Sequence, residues 1–138
     1  DNHIFHNITN EISKNKGYDL NLIFYIFYNE LLSCTHIIAH NISFDINVIK
    51  SELFRRKLFH IIIELDKKTL VCTMLTYKFL IKEKNKNNKI KNPSLNELYK
   101  FAFNCDIINA HNSKYDVINL QQAIKKITEG DLLKYIKK

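Results

Sequence analysis

No two of the three cysteines stand near each other. Cys34, Cys72 and Cys105 are far apart, odd in number and form no CxxC pair. That pattern argues against a disulfide framework and against a cysteine zinc site. Buried free thiols in a reducing, intracellular compartment are the expectation. Long apolar runs are also absent. The most apolar stretch, Leu20 to Leu32, is interrupted by Asn21, Asn29 and Glu30. It falls short of the roughly 20 residues needed to cross a bilayer, so no membrane partner is expected. No signal-peptide pattern opens the chain, and no internal repeat runs through it. Asp1 rather than Met stands first, so position 1 need not be the start of the gene product.

What is present suits one domain with a real core. The chain has 138 residues, enough for one core but not for two. Its 46% apolar content argues against disorder. The formal net charge is +7, which favours a polyanionic partner, nucleic acid or an anionic membrane surface. A plainer source exists for part of this excess. The sequence is heavy in Ile, Asn and Lys, as AT-rich codons dictate.

The pattern along the chain alternates helices with short strands. Thr9-Asn10-Glu11 could open a helical turn. Asp19 is a plausible N-cap for a helix ending near Ser33, with Leu20, Ile23, Phe24, Phe27 and Leu31 at helical spacing. His36 to Ala39 reads as a buried strand. A helix from about Ser43 to Leu58 follows, offering Phe44, Ile46, Ile49 and Leu53 to a core. Phe59 to Leu65 fits helix or strand. Thr69 to Thr73 reads as a strand, and a helix through Met74, Tyr77 and Leu80 comes next. The Lys/Asn run 82–92 reads as a solvated, flexible loop. Pro93-Ser94 starts another helix. The last long helix spans Ser113 to Thr128, with Val117, Leu120, Ile124 and Ile127 on one stripe, and Gly130 separates it from a short terminal helix. The class is α/β, yet two short strands are too few for an independent sheet. Either further strands precede Asp1 or the core is mainly helical.

Two clusters could carry chemistry. In the first, the strand His36 to Ala39 ends in His40-Asn41, and Asp45 lies in the first turn of the next helix. Open α/β sheets place their ligands at such strand ends, and a carboxylate held there can take a hard cation. The plainer reading is that Asp45 complements the helix dipole and Asn41 makes a turn. In the second, His111 precedes a helix that carries Asp116 near its start. An imidazole titrates close to neutrality and can serve as a general base. The plainer reading there is a cap residue beside a surface histidine.

Taken together, the clusters resemble a known family. Ala39-His40-Asn41-Ile42-Ser43-Phe44-Asp45 resembles the second motif, A-H-N-x-x-F-D, of the DnaQ-like (DEDDh) 3′–5′ exonucleases of the polymerase III epsilon-subunit type. His111 to Asp116 resembles the third motif, H-x-x-x-x-D. Cys72-Thr73 looks like the family's "dT" strand end, Pro93 to Leu98 like its "sL-x-x-L" helix, and Ile8-Thr9-Asn10-Glu11 like its "I-T-x-E" element. The resemblance covers nearly the whole chain. It implies a ribonuclease H-like fold and a phosphodiesterase using two divalent ions, Mg²⁺ or Mn²⁺, ~4 Å apart. By position, Asp45 and Asp116 would be metal ligands and His111 the general base. Asn41 and Phe44 would support the site, Phe44 by packing near the terminal nucleotide. The implied partner is a single-stranded or 3′-terminal segment of DNA or RNA, with a polymerase as a further candidate.

One motif is missing. The family's first motif, D-x-E, supplies two more carboxylates, and no Asp-x-Glu occurs in these residues. Glu64-Leu65-Asp66 is reversed and misplaced. Ser113 also stands where the family usually has Ala. The chain therefore reads as the C-terminal portion of a single exonuclease domain lacking its first strands, with little or no activity alone. The alternative is a non-catalytic nucleic-acid-binding or interaction module derived from that fold.

Overall fold

The computed structural model describes Lys14, residues 17–132 and Lys134. The expected turn at Thr9 and the Ile8 to Glu11 element lie outside the described residues, as does most of the expected terminal helix. The architecture is mixed α/β. Helix α1 is Leu20–Ser33, strand β1 His36–Ala39, helix α2 Ile42–Arg55, helix α3 Phe59–Asp66 and strand β2 Thr69–Cys72. Short helices α4 (Thr73–Thr76) and α5 (Lys78–Ile81) follow, then α6 (Leu95–Phe103) and α7 (Ser113–Thr128). β1 and β2 pair as a parallel two-stranded sheet. The chain forms two compact units: residues up to Ile37 with Ile49–Thr69, and Ile38–Val48 with the residues from Leu70 onward.

The first unit is helical. Asp19 caps α1, its carboxylate accepting from the Asn21 N–H at 2.9 Å. α1 packs against α3. Phe24, Leu31, Ile61 and Leu65 are buried, as is Leu53 of α2. The Tyr28 and His60 rings meet edge to face at 5.1 Å. Ile23, expected on the buried side of α1, is instead exposed, as are Leu22, Tyr25 and Ile26. Phe59 to Asp66 resolves as helix. α2 stops at Arg55, short of the expected Leu58. The chain turns at Lys57, left-handed at φ 58°, and the Leu58 N–H returns to the Leu53 carbonyl at 2.9 Å. That hydrogen bond closes the helix end. No glycine or asparagine marks the turn, so nothing local announced it.

The second unit is built around Tyr77, Leu98, Leu120, Ala123 and Ile124, with Ile38 of β1 packed against them. α6 lies on α7. Leu98 and Ala123 are wholly buried. Leucines so placed typically cost about 2–5 kcal/mol when cut to alanine. α6 opens with a capping box: the Glu97 N–H donates to the Ser94 hydroxyl and the Ser94 N–H to the Glu97 carboxylate. Val117, expected on the inner stripe of α7, is 67% exposed; Ala123 takes its place beside Leu120 and Ile124. The single helix expected through Met74 and Leu80 is two short ones. They meet at Tyr77, whose side chain is buried in the core.

The Lys/Asn run is exposed over residues 84–90, as expected, and its backbone closes as a hydrogen-bonded hairpin. Lys84 pairs with Ile90. The Asn85 N–H reaches the Lys89 carbonyl at 2.9 Å and the Lys91 N–H the Glu83 carbonyl at 2.8 Å. Two asparagines specify the turn. The Asn85 side chain accepts from the N–H groups of Asn87 and Lys89, and Asn88 takes the left-handed conformation at φ 60°. Asparagine tolerates that region better than most residues, which is why a run that looks like low complexity can encode a turn.

Candidate active site

Every site residue expected from the sequence lies in the second unit. At one edge, β1 ends at Ala39 and the chain reverses at Asn41, left-handed at φ 61°. The Phe44 N–H bonds the Asn41 carbonyl at 3.0 Å and starts α2. Ile42 and Ile46 are buried, and their i, i+4 spacing fixes which face of the helix turns inward. Asp45 and Phe44 consequently face outward. Asp45 is exposed in the first turn and Phe44 is 67% exposed. Phe44 was also expected in the core; instead its ring is exposed to solvent.

At the other edge, His111 is left-handed at φ 66° and exposed. Asn112 caps α7, its side-chain oxygen accepting from the N–H groups of Lys114 and Tyr115 at 3.2 and 3.4 Å. Asp116 sits in the first turn of α7 and is half-buried. The two edges thus share a plan. A left-handed residue reverses the chain, a helix begins, and a carboxylate follows within about one turn. The same left-handed backbone occurs at Lys57, Lys82, Asn88, Asn104 and Glu129, so it marks the chain reversal rather than the site.

His40 is the residue whose importance the sequence conceals. Its Nε2 lies 2.8 Å from the Pro93 carbonyl oxygen and its Nδ1 3.0 Å from Thr73 Oγ1. A carbonyl only accepts, so Nε2 carries a hydrogen. In the neutral ring Nδ1 then accepts from the Thr73 hydroxyl. In the charged ring Nδ1 donates to Thr73, and the hydroxyl hydrogen turns to the Ala39 carbonyl 3.3 Å away. Burial holds the imidazole below its ordinary range, against the opposing pull of the Pro93 carbonyl and the Glu97 charge. Thr73 and Pro93 are both fully buried. The ring therefore braces the strand end that carries Asn41 and Asp45. Its partners lie 33 and 53 residues away, so no local pattern could reveal the role.

Asp45 and Asp116 suit a hard cation in kind. Both are oxygen donors, and neither has a hydrogen-bond or ion-pair partner among the described residues. In number they fall short. Among the described residues, no three His, Cys, Asp or Glu side chains gather as a metal-holding group. No helix there is long and apolar enough to cross a membrane. No family model, curated protein or solved structure matches the chain.

Proposed function

We propose that this chain carries half of the active site of a metal-dependent 3′–5′ exonuclease of the ribonuclease H-like, DnaQ-like kind. The observation that carries the reading is the His40 brace. Three segments that resemble family landmarks, Ala39-His40-Asn41, Cys72-Thr73 and Pro93-Ser94, meet at one imidazole. Independent surface turns and caps would have no reason to converge.

In this reading Asp45 and Asp116 would hold Mg²⁺ or Mn²⁺, completed by two carboxylates from a D-x-E segment outside residues 1–138. The bound ions supply charge neutralisation at the scissile phosphate and acidify water. His111, exposed and displaced from the helix it precedes, takes the proton from the attacking water as general base. Phe44 offers its open face to the terminal base, and Asn41 fixes the turn that aims Asp45. A non-catalytic nucleic-acid-binding module is the second reading. It is supported by the net charge of +7, which suits a nucleic-acid partner without a metal centre.

A 5′-labelled oligonucleotide incubated with Mg²⁺ or Mn²⁺ separates the two. Residues 1–138 alone should give no robust hydrolysis. A longer gene product that supplies D-x-E should shorten the strand from its 3′ end. In that protein His111→Gln should slow the reaction by about 10²–10⁴-fold. Full activity of the His111→Gln enzyme would remove His111 as the base, and an inert longer protein that still binds the oligonucleotide would favour the binding module.

A further inference from the structure

We infer that the hairpin over residues 83–91, with Phe79 just before it, is a docking arm for a nucleic-acid single strand. Residues 82–92 contain five lysines and one glutamate. Lys91 is committed to an ion pair with Glu97, which ties the hairpin's second arm to the start of α6. The other four, Lys82, Lys84, Lys86 and Lys89, are exposed and have no carboxylate partner among the described residues. Outside the hairpin Lys50, Arg55, Arg56, Lys67, Lys68 and Lys100 each pair with a carboxylate; Lys57, Lys78, Lys114, Lys125 and Lys126 have none among the described residues but do not cluster as the four of residues 82–89 do.

Order distinguishes this charge from a solvated run. The two asparagines and the ladder hydrogen bonds order the backbone, so the lysines project from a defined turn. Phe79 is 68% exposed in α5, three residues before the left-handed Lys82 that turns the chain into the hairpin. Cations on an ordered backbone, preceded by an exposed aromatic ring that can meet a base, suit single-strand binding; the Lys78 ammonium stands 5.8 Å from the Phe79 ring centroid and adds to that charge. A membrane surface would also accept the charge, and binding to phosphatidylserine vesicles decides between the two. The arm needs neither Asp45 nor His111, and shares with the proposed nuclease only the class of partner.

The test is fluorescence anisotropy of a 5′-fluorescein thymidine oligonucleotide with residues 1–138 in EDTA, where metal-dependent cleavage plays no part. Lys84→Gln/Lys86→Gln/Lys89→Gln should weaken binding roughly tenfold or more, and should reduce the slope of log affinity against log salt by about 2. Phe79→Ala should weaken it ~5-fold with the salt slope unchanged. Both keep the turn asparagines, and far-UV circular dichroism checks the fold. The equal-charge control Lys57→Gln/Lys125→Gln/Lys126→Gln should bind nearly as the parent does. Equal losses in hairpin and control variants would overturn the arm, as would an unchanged hairpin variant or preferential binding to phosphatidylserine vesicles. Binding that holds while a longer gene product supplying D-x-E stays inert with Mg²⁺ overturns the proposed function and leaves the arm standing.

Discussion

Asp45 enters its helix from a strand end braced by His40, Thr73 and Pro93 and anchored by buried Ile42 and Ile46. Asp116 enters its helix from a segment exposed almost throughout between Asn104 and Tyr115, where Ile107 is the half-buried exception. That segment is held by the Asn112 cap at one end. At the other, Asn96 accepts from the Ile107 N–H and donates to Asp106. The difference is one of support: the first segment is tied into the core, and the second is held only at its two ends.

Breaking the brace should have the largest effect. His40→Ala leaves the Pro93 carbonyl and Thr73 hydroxyl without their partner and opens a void. It should cost about 2–4 kcal/mol in urea unfolding. Asn112→Ala, the matching lesion at the open edge, should cost only ~1 kcal/mol by the same assay. Equal losses would erase the contrast between the edges.

Acid should act on the braced edge first. The His40 pKa is lowered by folding, so between its folded value and the ordinary 6.5 the unfolded chain binds more protons. Stability is therefore complete above about pH 6.5 and falls as pH drops through the folded pKa. His40→Gln should flatten that part of the urea midpoint–pH curve. The Glu97 contribution lies in a lower window. Burial pushes its carboxyl up, but the Lys91 ammonium and the Ser94 N–H outweigh it and hold the pKa below the ordinary 4.5. Its share is lost only as pH falls below that value. A slope unchanged in His40→Gln would remove His40 as its source.

The smallest effect should be at His111. Because its left-handed backbone is disfavoured for histidine, His111→Asn should be neutral or stabilising by up to ~1 kcal/mol in thermal melts, while removing the proposed base. Destabilisation beyond that range would mean His111 supports the fold.

Much of this plan was legible in the sequence, for local reasons. Asp19, Ser94 and Asn112 cap helices through side chains that act within three residues, so the starts of α1, α6 and α7 could be read directly. The illegible parts depend on distant or unusual geometry. The early end of α2 rests on a left-handed lysine. Phe44 and Val117 turn outward because Ile42, Ile46 and Ala123 claim the inner faces. Asp45 and Asp116 were readable as carboxylates at helix starts, but their support was not, since it runs through His40.

The most direct measurement is paramagnetic broadening of the ¹⁵N-amide spectrum of residues 1–138 on titration with Mn²⁺. Asp45 and Asp116 acting on a common ion predict that signals around Ser43–Ile46 and around Lys114–Val117 broaden together, and that Asp45→Asn abolishes both. Broadening at one segment alone, or at Asp116 undiminished in Asp45→Asn, would contradict a shared metal site.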